Sequence, residues 1–195
     1  MATTTPNYGW NVPTSADYVA QGAVAIQTLG DEIDATVFGL PAGGLTLINT
    51  TAFSAAATVT IDNVFTATYK NYLMVYANNG TSVVFQFRNT TPATVSSGYY
   101  GAGWYTDSNG SNGTSLVQSN TASLSMSGGI MSWNMTIFSP FEATVTKTTA
   151  LWAAGTTGVT GAFRSSNQSA TTSMGGIIIT GTSMTGQISI YGLAN

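Results

Sequence analysis

The chain has 195 residues, 43% of them apolar, which is enough to bury one good-sized core and leave an arm over. Charged residues make up only 6%, with four cations (Lys70, Arg88, Lys147, Arg164) against seven acids and a net charge of −3. Four scattered cations cannot neutralise a run of phosphates, which argues against nucleic acid, and the absence of histidine and cysteine removes disulfides, thiolate metal sites and imidazole catalysis.

Residues 1–13 carry Pro6, Gly9 and Pro13 around Tyr8, Trp10 and Val12. Prolines at both ends predict an extended arm rather than a helix. Its aromatic side chains either fold back on their own domain or dock on a partner, and the sequence weighs these equally. Thr14 with Asp17 resembles a capping box, and a helix is expected from about Ala16 to Val37. Val19, Ile26, Ile33 and Leu40 recur every seven residues with Gly22, Leu29 and Thr36 between them. That spacing fits a three-stranded seam, and it fits equally a helix lying on its own domain. Tyr8, Trp10, Val19, Ile26, Leu29 and Ile33 are therefore the candidate attachment and oligomer residues. Gly39, Pro41, Gly43 and Gly44 mark a linker, which puts residues 1–44 in one region and 45–195 in another.

From Leu45 onward the signals are strands and turns. Val59 and Ile61 alternate with threonines. Asp62 to Tyr76 runs into an apolar strand, and Asn78-Asn79-Gly80 then predicts a hairpin to Val83–Arg88. Met131 to Ile137 alternates most cleanly, Thr144 to Ala154 follows, and Ile177–Ile179, Ile188 and Ile190 close the region. Two hydrophilic tracts, Ser97 to Gly113 and Gly155 to Ser173, interrupt this pattern. The expected fold class is all-β: a jelly-roll-like antiparallel β-sandwich preceded by an extended arm and one α-helix.

Little here suggests catalysis. Asp31, Glu32 and Asp34 read as a solvated helix face, and Asp62 and Asp107 sit in turn-forming contexts. Asp62, Asp107 and Glu142 are the carboxylates left for a glycan-cleaving pair. No nucleophile elbow, phosphate loop or metal-spaced cluster is present, so no enzyme, cofactor or metal is expected. The remaining candidates are Tyr99, Tyr100, Trp104, Tyr105 and Asp107. On a glycine-rich loop their rings and polar neighbours would grip sugars. In a strand the rings would join the core, and that second reading is favoured. No segment approaches the roughly 20 apolar residues of a membrane span, and no secretory signal is visible.

Two stretches resemble bacteriophage virion proteins. Thr5-Pro6-Asn7-Tyr8-Gly9-Trp10, Pro13-Thr14-Ser15, Asp17-Tyr18, Gly22 to Ile26 and Leu29 to Asp34 are similar to the N-terminal segment of phage minor-tail and fibre-type proteins. Asp62 to Thr66, Tyr69, Asn71-Tyr72 and the closing Thr185 to Gly192 resemble a β-sandwich domain found at phage fibre tips; Gly80 to Ser183 matches only in texture. The resemblance implies a homotrimer in the virion, assembled in the host cytoplasm and bound to other virion proteins, with a host surface glycan as a further partner. It brings no catalytic residue. The expectation is a tail-fibre or receptor-binding appendage. The alternatives are a capsid decoration protein and a lectin-like carbohydrate-binding module.

Overall fold

The computed structural model describes residues 3–15, 18–39, 44–78, 81–107, 112–113, 118–126, 131–154 and 159–194. They fall into two compact units, Met1–Gly43 and Gly44–Asn195.

In the first unit the arm is not extended. Strands β1 (Thr3–Thr4) and β2 (Asn11–Val12) pair antiparallel. Gly9 turns the chain at φ +69, where a side chain would be strained, and Thr5 Oγ1 accepts the Trp10 amide at 3.0 Å. The prolines exclude a helix here, as expected, but a hairpin satisfies the backbone groups that an extended arm would leave to water. Helix α1 spans Val19–Gly39; Ala16 and Asp17, half of the expected capping box, lie outside the described residues. The hairpin folds back on the helix. Glu32 accepts both the Asn11 amide N–H and its Nδ2, each at 2.6 Å, and the Trp10 indole N–H donates to Thr36 Oγ1 at 3.0 Å.

The second unit is all-β, and every pairing in it is antiparallel. Its spine is β3 (Leu45–Ile61) alongside β13 (Met174–Leu193). β3 holds one edge of β13 from Ile177 to Leu193, so β4 (Asn71–Asn78) and β5 (Thr81–Asn89) share the other. Asn78 stands opposite Gly186 and Thr81 opposite Thr182, so the two strands follow one another along a single edge. The hairpin expected between them is therefore absent. Ile177, Ile179, Ile188 and Ile190 are completely buried, and covering this apolar strand outweighs a local turn preference. Asn79 and Gly80 lie outside the described residues. Where β13 passes from one partner to the next, the spine kinks: Ser183 and Ala55 take φ 48 and 49, and the Ala55 amide donates to Thr185 Oγ1.

From β4 the sheet continues through β10 (Met131–Phe138), β11 (Thr146–Ala154) and β12 (Val159–Gln168) to β6 (Tyr99–Asp107). β7 (Asn112–Gly113) and β8 (Gln118–Thr121) pair with β6, and β9 (Leu124–Met126) pairs with β5. The short run from β8 to β9 thus carries the sheet from β6 round to β5, and the layers close into a nearly complete barrel. Both hydrophilic tracts contain strands, β6 and β12, and they are neighbours. Inside, Trp133, Tyr76, Phe85, Phe87 and Tyr99 form an aromatic cluster; the Tyr76 and Trp133 ring centres lie 4.9 Å apart. Under β11 and β12 the interior turns polar, with Thr146, Thr148, Arg164, Ser166 and Gln168 all buried.

Candidate functional site

Strand alternation divides the predicted aromatic group. Tyr99 points inward and is fully buried. Its hydroxyl accepts the Phe87 amide at 2.7 Å and donates to the Val95 carbonyl at 3.0 Å, and burial pushes its pKa well above the ordinary tyrosine value. Tyr105 is half-buried against the core. Tyr99 is thus a structural residue, as in the strand reading. Tyr100 and Trp104 point outward, 36% and 53% exposed. The Asp107 side chain lies outside the described residues.

The strand holds this shape because of its glycines. Arg164 on β12 lies under β6 and donates from Nη1 to the Ser125 carbonyl of β9 at 2.8 Å, crossing the seam of the barrel. Burial lowers its pKa. A Cβ at Gly101 would stand 3.0 Å from Arg164 Nε and 2.8 Å from Ser166 Oγ, and one at Gly103 would collide with the Phe163 carbonyl. So Gly101 and Gly103 let β6 settle on β12, leaving Trp104 outside.

The register assembles a surface that sequence reasoning missed. Trp104 lies opposite Phe163, and Phe163 opposite Leu151, an apolar row across three strands. Tyr100 lies opposite Asn167, Asn167 opposite Lys147, and Lys147 opposite Phe138, which gives a parallel row further along. Leu151, Phe138 and Val145 are 59%, 38% and 36% exposed. The only signal for this face was Phe163 standing out in a polar tract, because its inward neighbours Arg164, Ser166 and Gln168 disguise the strand. Two open depressions of about 550 and 490 Å³ adjoin the second row and share Val145 and Lys147. They fall within the size range of small-molecule sites.

Among the described side chains the carboxylates do not converge here. Asp62 pairs with Arg88, Oδ1 to Nε at 2.6 Å, and Glu142 meets Lys70 at 3.5 Å. Among the described residues no three metal-ligating side chains cluster, and no helix is long and apolar enough to cross a membrane.

The predicted attachment residues also divide. Trp10 stacks on Tyr8 at 5.0 Å and is tied to the helix, while Tyr8 stays 62% exposed. On α1 the half-covered positions are Gly22, Ala25, Leu29, Glu32 and Thr36, so Leu29 belongs to a different stripe from Ile26 and Ile33. Ile26, Ile33 and Val37 are 65%, 36% and 59% exposed. Val19 begins the helix; its side chain lies outside the described residues. Glu32, expected on a solvated face, instead clamps the arm. Neither a protein-family model nor any curated protein matches the chain.

Proposed function

We propose that the chain is a bacteriophage virion structural protein, a trimeric tail-fibre or receptor-binding appendage. Its N-terminal unit joins copies together and docks them to the particle, and its β-body faces outward. The observation that carries this is the stripe of Ile26, Ile33 and Val37 on α1, left open after the arm has taken the Leu29 side. Such a stripe at helical spacing, on a helix that also leaves Val24 and Phe38 exposed, calls for a partner helix. Identical helices in parallel supply one. The phage assignment itself comes from the sequence resemblance.

The helix alone gives a small contact. At 21 residues it is about 32 Å long, and a stripe about 10 Å wide offers roughly 300 Å² to each neighbour, against about 800 Å² per partner in a stable complex. The body has to contribute as well. Leu45 and Leu47 open β3 at 53% and 55% exposure. Only five residues of chain, Leu40 to Gly44, separate Gly39 from Leu45. β3 contains no charged residue, and among the described residues it pairs with β13 alone. Long, uncharged sheet edges are normally covered, and copies gathered by their helices would cover this one.

Sedimentation equilibrium of the full chain tests the reading. A trimer is expected, reduced to monomer by Ile26→Asp with Ile33→Asp and weakened by Leu47→Asp, with the circular dichroism of the body unchanged. A monomeric wild type would remove the assembly. Antibody labelling of particles then locates the protein on tail or head.

A further inference from the structure

We infer that the depression around Lys147 binds the anionic group of an acidic saccharide. This rests on the outward display of the body proposed above. Three of the four cations are already occupied or enclosed: Lys70 by Glu142, Arg88 by Asp62, and Arg164 inside the barrel at 2% exposure. Lys147 is exposed and has neither an ion pair nor a hydrogen bond among the described residues. No carboxylate stands among the described outward residues of β10, β11, β12 and β6. Lys147 is the charged residue in the lining of both depressions, and the nearby Glu142, in the loop between β10 and β11, is paired with Lys70.

The surroundings select a sugar rather than a bare ion. Lys147 is flanked in register by Asn167 on one side and Phe138 on the other, with Tyr100 beyond Asn167 and Asn71 beyond Phe138. Half-exposed rings accept the C–H faces of pyranoses, and side-chain amides donate to and accept from their hydroxyls. An ammonium group is a compact point charge without the planar fork of arginine, so it suits either a carboxylate or a phosphodiester. One exposed charge gives a weak contact, and three copies on one particle would multiply it through effective concentration.

The test titrates the full-length chain with oligogalacturonate, with its methyl ester (the same backbone without charge), and with short poly(glycerol phosphate). The acid is expected to bind at least about fivefold tighter than the ester, with a preference that fades as salt is raised. Lys147→Gln should abolish the preference and Lys147→Arg should keep it. Tighter binding of poly(glycerol phosphate), which carries no sugar ring, would show that charge alone is read and would overturn the saccharide assignment. Equal binding of acid and ester, a preference that survives Lys147→Gln, or no binding of any of the three would overturn it. Sedimentation of the same samples separates the two proposals. A monomer that still prefers the acid keeps this site and removes the assembly, whereas a trimer without the preference does the reverse.

Discussion

The two units are held together by different physics. In the body, completely buried apolar side chains run from Phe65 to Ile190, and burial of that kind dominates folding free energy. In the N-terminal unit no described residue is fully buried; polar contacts from Glu32 and Thr36 hold the hairpin while several apolar side chains face outward. The body is organised around its own core, whereas the helix keeps an exposed apolar stripe that the assembly proposed above would cover.

The largest expected break in this contrast is Trp133→Ala. It removes a ring that touches both Tyr76 and Phe85 and should cost about 3–5 kcal/mol in denaturant unfolding of the body, with the helical signal retained. Gly103→Ala comes next. Its Cβ meets the Phe163 carbonyl, a rigid neighbour, so a loss of about 2–3 kcal/mol is expected. Alkaline pH should act on the body through Tyr76 and Tyr99, whose pKa values burial raises. The unfolded chain releases these protons near pH 10 and the folded body retains them. Stability should therefore hold below that point and fall above it, by up to about tenfold in the folding constant per pH unit for each ring. The smallest effect belongs to the other unit. Glu32→Ala should free the arm at a cost of about 1 kcal/mol, visible as a red shift of Trp10 emission in a background where the other tryptophans are replaced by phenylalanine, with the unfolding midpoint of the body unmoved.

Much of the body was legible wherever inward residues are apolar. Met131 to Ile137 alternates because Trp133, Met135 and Ile137 fill the core, and the all-β class follows from such segments. β12 was invisible for the opposite reason: its inward residues are Arg164, Ser166 and Gln168, so hydrophobic periodicity is silent. Two isoleucine clusters were legible as strand but not as one strand, since the kink at Ser183 separates them. The Asn-Gly turn misled because pairing along β13 is decided by burial far away in sequence, which no local signal reports. In the candidate site, Tyr100 and Trp104 could be named from composition. Their partners Phe163, Leu151, Lys147 and Phe138 could not, because register alone brings them alongside.

The spine carries a consequence for timing. β13 emerges late, yet it is the strand against which β3, β4 and β5 must all align, Leu193 with Leu45 across nearly the whole body. During synthesis the early strands therefore wait without their common neighbour, and such distant closures slow folding. Without β13, β3 would have no partner strand among the described residues, and β4 and β5 would keep only β10 and β9, leaving edges open to chaperones or proteases. The closure of the whole body thus hangs on one strand that is distant in sequence from all three of its partners.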